Sequence, residues 1–246
     1  DSFDTVLNFL RRAAEDPKVT RVYHTLYRTS AHSPVMEALK TAAKNGKRVT
    51  VYVEIKARFD ELNNLRWAQD LRRAGVRVVR PYGNWKVHSK ATQVFRREGA
   101  EEASYLHLGT GNYHPTTARQ YTDLGLFTRD PDLGGEVSRY FDAIVRHKRP
   151  KGFSELLVAP VNMHRETLSL IRQETDLHRQ GLRGHIVAKM NSLVDKETIS
   201  ALYEASGAGA EIPIGHGVIG VAARESTPIR IGHFSAEFAY GRAIRE

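Results

Sequence analysis

The residues best suited to chemistry are His88 and Lys90 in Val87-His88-Ser89-Lys90, with the turn Gly109-Thr110-Gly111-Asn112 beginning nineteen residues after the lysine. The stretch from Val87 to Phe95 reads as a strand, in which side chains at i and i+2 share a face, so His88 and Lys90 are expected to address one ligand. A neutral imidazole is a nucleophile near neutral pH, and phosphorus is an electrophile suited to it. A neighbouring ammonium would neutralise charge on a phosphoryl oxygen as the transition state forms. The small residues around Asn112 let backbone and carboxamide donors come close to that oxygen. A lone His-x-Lys at a strand edge usually faces water. The downstream G-T-G-N turn is what makes the pair specific.

Arg28 in TLYRTS ends the first strand, and Arg58 in KARFDE follows the second. Guanidinium forks grip phosphate oxygens bidentately and stay charged, so both are candidate polyanion clamps; the alternative is ordinary surface arginines. Tyr121 in ARQYTDLGLFT would either pack an adenine ring or support the strand that follows.

A net charge of +9 fits an anionic partner: nucleic acid, membrane headgroups or a phosphate polymer. It fits plain solubility equally well. The absence of cysteine excludes disulfides and thiolate-ligated metals and suits a cytoplasmic protein. There is no run of eighteen apolar residues, and Asp1-Ser2-Phe3-Asp4 has neither a signal pattern nor an initiating Met, so a cut end is expected there.

These residues must be positioned by alternating strands and helices. Phe3, Val6, Leu7 and Leu10 have helical spacing, and Ser33-Pro34 opens a helix that stops at Asn45-Gly46. A third helix runs from Asp60 to Gly75, and a fourth carries Val137, Tyr140, Phe141 and Ile144. Strands are expected over 21–26, 48–55, 76–79, 87–95, 105–108 and 124–127. The basic stretch His147 to Lys151 reads as a linker, after which His185–Met190 is strand-like and Asp195 caps a helix. Met36–Val49 laid over Ile199–Ile212 repeats helix, glycine turn and strand, which suggests a duplicated α/β unit.

His-x-Lys followed by G-[ST]-x-N resembles the half-site of the phospholipase D superfamily. That pattern has an Asp five residues after the lysine, where this chain has Phe95, and no second His-x-Lys is present. The strings TLYRTS, KARFDELNNLRWA, KVHSK, HLGTGNYHPTTARQYTDLGLFT, LLVAPVN and AKMNSLVDKETISALYEAS together resemble bacterial polyphosphate kinase, from about Ser2 to Ile212. The resemblance implies two phospholipase D-like α/β domains with mixed sheets flanked by helices, over residues 1–147 and 148–246. It implies His88 as the phosphorylated nucleophile, joined by Lys90 and Asn112. Arg28 and Arg58 are implied as contacts to phosphate and to magnesium held through substrate phosphates, and Tyr121 as an ATP contact. The reaction implied is reversible transfer of the ATP terminal phosphate to inorganic polyphosphate, with Mg2+ as cofactor and ATP or ADP as substrate. No nucleic-acid partner is expected. A homo-oligomeric full-length parent and a cytoplasmic location with peripheral membrane association are expected.

The tail departs from the family. An Arg-Gly pair is replaced by His216-Gly217, and the Leu-Glu-His triplet with a second active-site histidine is absent. Gly241 falls at that histidine's place and His233 is out of register. With the family's N-terminal domains also missing, the chain reads as a fragment, expected to be weak or inactive alone. The competing functions are a phospholipase D-type phosphodiesterase and a non-catalytic polyanion-binding module.

Overall fold

Strand pairing joins segments far apart in sequence into one sheet, described by a computed structural model over residues 3–26, 33–53, 61–80, 86–121, 123–188, 190 and 192–212, with backbone alone over 61–66. The chain divides into two compact units, Asp1–Leu156 and Leu157–Glu246. In the first, strands β1 (Val19–Leu26), β2 (Arg48–Val53), β3 (Arg77–Val79), β4 (Lys90–Glu98), β5 (Glu101–Gly109) and β6 (Gly125–Thr128) form a sheet of order β3-β2-β1-β4-β5-β6. β1, β2 and β3 are parallel, and β4, β5 and β6 add an antiparallel meander. Parallel strands need crossover helices. α2 (Pro34–Lys44) and α3 (Glu61–Arg73) supply them.

α1 (Asp4–Glu15) and α2 cover one face together with Trp67 and Leu71 of α3, packing on Val22, Leu26, Val49, Val51 and Val94. α4 (Pro131–Val145) covers the other, setting Val137, Phe141 and Ile144 against Tyr52, Ala91 and Leu106. β2 is buried on both faces from Val49 to Val53, which fits a run that is apolar apart from Thr50. The expected mixed sheet flanked by helices is therefore present in this unit. Two details differ. β4 starts at Lys90 rather than Val87, so His88 lies in the extended lead-in. Ser33 stands at the N-cap of α2 in extended conformation, yet its hydroxyl makes no cap bond, and Pro34 alone presets the helix start.

In the second unit, α5 (Met163–Arg179) packs against α6 (Lys196–Ala208) through Ile171 and Ala205. The sequence reading missed α5, because only Leu168, Ile171 and Thr175 are buried along seventeen residues and the apolar stripe is thin. Asp195 does cap α6, accepting from the Thr198 N–H at 2.8 Å. His185–Met190 is corrected: among the described residues of that stretch a single parallel bridge forms, His185 to Glu211, and Val187 is exposed. The duplication still leaves a mark. The offset that lays Met36 over Ile199 lays α2 within α6 and Arg48 over Glu211; Arg48 pairs in parallel with Arg21, and Glu211 with His185. Among the described residues no helix is long and apolar enough to cross a membrane.

The residues that follow the stretch His147–Lys151, read from the sequence as a linker, are fastened to the first unit. Glu136 of α4, 2% exposed, accepts hydrogen bonds from the Ser154 N–H and hydroxyl and from the Glu155 and Leu156 N–H groups at 2.7 to 3.3 Å. Burial pushes this carboxyl up, but the hydrogen bonds outweigh burial and hold it below its ordinary 4.5. A depressed folded-state value means the stabilisation is complete above about 4.5 and is lost as pH falls through the lower folded value. Glu136→Gln should destabilise the first unit by about 2 kcal/mol, since amide hydrogens would face N–H donors. It should also remove this part of the acid sensitivity. Denaturation midpoints of the two proteins from pH 7 down to about pH 3 test this, and an equal fall below 4.5 would refute the clamp.

Candidate active site

The geometry of the site follows from β4 running antiparallel to β1, which brings the start of β4 beside the end of β1. Thr25 fastens the two together: its hydroxyl donates to the Ser89 carbonyl at 2.8 Å and accepts from the Ala91 N–H at 3.0 Å. The Ser89 hydroxyl lies 2.8 Å from the Tyr140 hydroxyl of α4. Residues on both sides of Ser89 are thus held in place, and His88 projects from a fixed strand entrance.

His88 is exposed, whereas Lys90 is only 8% exposed. The Lys90 ammonium donates to the His88 carbonyl at 2.6 Å and lies 3.1 Å from both ring nitrogens of His88. A neutral imidazole offers it one lone pair; a protonated one offers none. Burial, then the charges of Lys90 and Lys86, hold the His88 ring below its ordinary 6.5. Burial also brings Lys90 down to about 8, with Lys86 adding to the shift and the Asp123 carboxylate opposing it. At neutral pH the pair is therefore an uncharged nucleophile beside an ammonium.

The G-T-G-N turn is brought to the same edge by pairing of β4 with β5, in which Lys90 faces Gly109, and of β5 with β6, in which Gly109 faces Gly125. The Thr110 N–H donates to the Leu124 carbonyl, and its hydroxyl donates to Asp123 at 3.0 Å. A Cβ on Gly111 would overlap the Asp123 carboxylate, so a larger residue there would displace that side chain. The Asn112 side-chain oxygen is buried with no hydrogen-bond partner. Phe95 points away from this face, buried against Tyr23 and stacked under the Arg21 guanidinium at 3.9 Å. It supplies no acid.

The sequence profiles of polyphosphate kinase C-terminal domain 1 and C-terminal domain 2 match residues 1–150 and 156–222. A polyphosphate kinase of Synechocystis sp. is 49% identical over 210 residues, 85% of this chain and 29% of that protein. Polyphosphate kinase 1 of Chlorobaculum tepidum is 48% identical over 214 residues, 87% of this chain and 31% of that protein. The crystal structure of polyphosphate kinase from Porphyromonas gingivalis superposes with a TM-score of 0.76 at 41% identity, covering 86% of this chain and 35% of that one. This chain belongs to the polyphosphate kinase family. It spans about a third of the length of these relatives.

Of the residues the polyphosphate kinase resemblance singles out, the structure joins His88 to Lys90 and brings the turn bearing Asn112 to the same sheet edge. Tyr121 lies beyond the short turn Thr117–Arg119, 61% exposed. Arg28, Arg58, His216, His233 and Gly241 lie outside the described residues. Sequence reasoning missed Asp123, and it missed a buried polar row behind the site: His24, Thr92, His107 and Tyr113. The signal for the row was there. Thr92 continues the His88, Lys90 alternation, and polar residues inside otherwise apolar strands point to a network.

The Lys90 ammonium should titrate near 8 rather than at its ordinary 10.5. Lysine side-chain carbon NMR across this range tests the value. Lys86→Met should move the midpoint upward by removing a like charge, and a wild-type midpoint at 10.5 would contradict the burial argument.

Proposed function

We propose that this chain carries the phosphohistidine centre of an ATP–polyphosphate phosphotransferase. The observation that carries the reading is the Lys90 ammonium 3.1 Å from both nitrogens of an imidazole kept neutral. A His88 ring nitrogen attacks the terminal phosphorus of ATP, forming an N–P bond as the P–O bond to ADP breaks. The bonding pair leaves with ADP, and the ring's other N–H proton is released. An oxygen at the end of a polyphosphate chain then attacks the phosphohistidine; the N–P bond breaks, its pair returns to the ring nitrogen, the ring takes up a proton to restore the imidazole, and the chain lengthens by one unit. Lys90 neutralises the phosphoryl oxygens during both steps, and Asn112 with the backbone of its turn holds them from the other side.

Arg28 and Arg58 are proposed phosphate clamps and Tyr121 the adenine contact. β1 ends two residues before Arg28 and β2 five residues before Arg58, and the end of β1 pairs beside the start of β4, two residues after His88. Among the described residues no group of three or more His, Asp or Glu could hold a metal, so magnesium would arrive on the substrate phosphates. There it would spread the charge of the transferring group. A phospholipase D-type hydrolysis gains no support, because position 95 is a buried Phe turned from the site.

Incubation of the full-length parent protein with magnesium and ATP should add one acid-labile phosphate per chain, on His88, and His88→Ala should abolish it. Intact mass and peptide mapping under alkaline conditions read this. Phosphate on His107 or His114 instead would displace the nucleophile, and none at all would overturn the reading. Arg28→Lys and Arg58→Lys keep charge but lose the bidentate fork. Each should slow phosphorylation by about a hundredfold with the melting temperature unchanged; a large stability loss with an unchanged rate would make these arginines structural.

A further inference from the structure

Behind the catalytic row of Lys90, Gly109 and Gly125, one residue pair deeper along the same strands, stands a second row. His24 pairs with Thr92 across β1 and β4, Thr92 with His107 across β4 and β5, and His107 with Phe127 across β5 and β6. His24, Thr92 and His107 are buried, Phe127 is exposed at the end of the row, and Tyr113 folds back over the buried part from the residue after Asn112. The Tyr113 ring lies 4.3 Å from that of His24 and 5.5 Å from that of His107. Its hydroxyl is 2.8 Å from His107 Nδ1 and accepts from the Thr92 hydroxyl at 3.0 Å, while His24 Nδ1 is 2.8 Å from the same Thr92 oxygen.

With Thr92 as the donor to Tyr113, one arrangement of protons satisfies the rest of this chain. Burial holds both imidazoles neutral, with His24 brought down to about 3 and His107 to about 4, and keeps the Tyr113 phenol protonated. Thr92 donates its one proton to Tyr113, so its oxygen accepts from His24 Nδ1–H. Tyr113 has one proton left, and it goes to His107 Nδ1. The His107 ring proton must then be on Nε2. The unpartnered His24 Nε2 is consequently a lone pair rather than a stranded N–H. His107 Nε2 lies beneath the catalytic row: a Cβ on Gly125 would be 2.8 Å from it, and one on Gly109 would be 3.0 Å from the adjacent Cε1.

We propose that Tyr113 is a positioning residue of the phosphoryl-transfer site. Backed by Thr92 and His24, it fixes His107 in the Nε2–H form under Gly109 and Gly125 and pins the turn that presents Asn112. The inference rests on the phosphotransfer reading only for what is positioned; the proton order is a property of the buried chain itself.

Nitrogen-15 NMR of the histidine rings reads the order directly in the whole chain. Wild-type His107 should be the Nε2–H tautomer. Tyr113→Phe, and Thr92→Val, which keeps shape but loses the hydroxyl, should convert it to a mixture of tautomers and shift the Asn112 amide resonances. Thr92→Ser should restore the wild-type state. The rate of phosphate incorporation at His88 should fall by about tenfold or more in Tyr113→Phe and Thr92→Val and recover in Thr92→Ser. An Nδ1–H tautomer in the wild type, or one unchanged in both variants, would overturn the proton order. A changed tautomer with an unchanged phosphorylation rate would overturn the positioning role. If the wild type takes up no phosphate, the phosphotransfer reading falls, while the tautomer and Asn112 signals still decide whether Tyr113 sets this geometry.

Discussion

Strand β4 is paired on both sides, with β1 and with β5, and a slip of one residue in either register would turn Lys90 and Thr92 onto the α4 face. Everything chemical in the first unit hangs on that alignment. It puts Lys90 opposite Gly109, so that a long side chain has an empty position beside it. It puts Thr92 between two histidines, so that one hydroxyl serves both as acceptor and as donor. Gln93 secures the register from the opposite face, its amide donating to the Gly134 carbonyl and the Ser138 hydroxyl of α4 at 2.9 Å each. A sheet clamped by polar bonds on one face and by polar bonds to a helix on the other has little freedom to slide.

The electrostatics of the site depend on the same burial. An ammonium placed in water beside an imidazole would be only weakly coupled to it. Withdrawn to the sheet edge, Lys90 loses hydration and becomes easier to discharge, while partial desolvation and the charges of Lys90 and Lys86 hold the more exposed His88 below its ordinary 6.5. Lys86 adds positive charge beside the pair and the Asp123 carboxylate opposes its effect on Lys90, so the proposed phosphate ligand would meet both signs of charge there.

Much of this was legible in the sequence, for definite reasons. The strands and the helices of the first unit announce themselves by periodicity, and His88, Lys90 and the G-T-G-N turn by residue type and spacing. What stayed hidden has a common cause. α5 is held by three buried positions, so its period is faint. His107 and Tyr113 look like ordinary strand and loop aromatics until the register sets His107 beside Thr92 and brings Tyr113 back over them. Asp123 acquires meaning only when the turn between Gly109 and Asn112 folds against it. Pairing across the sheet is long-range information that no local pattern contains.

The clamp between Glu136 and residues 154–156 bears on how the molecule can be dissected. A cut placed at the basic stretch around His147, where composition suggests a border, would leave a carboxylate inside the first unit without its donors. A buried charge stripped of its partners is among the more damaging things that can be done to a small domain. A self-sufficient first unit therefore has to extend through Leu156, and limited proteolysis should find its earliest foothold beyond that residue rather than among the lysines and arginines that look most inviting to trypsin.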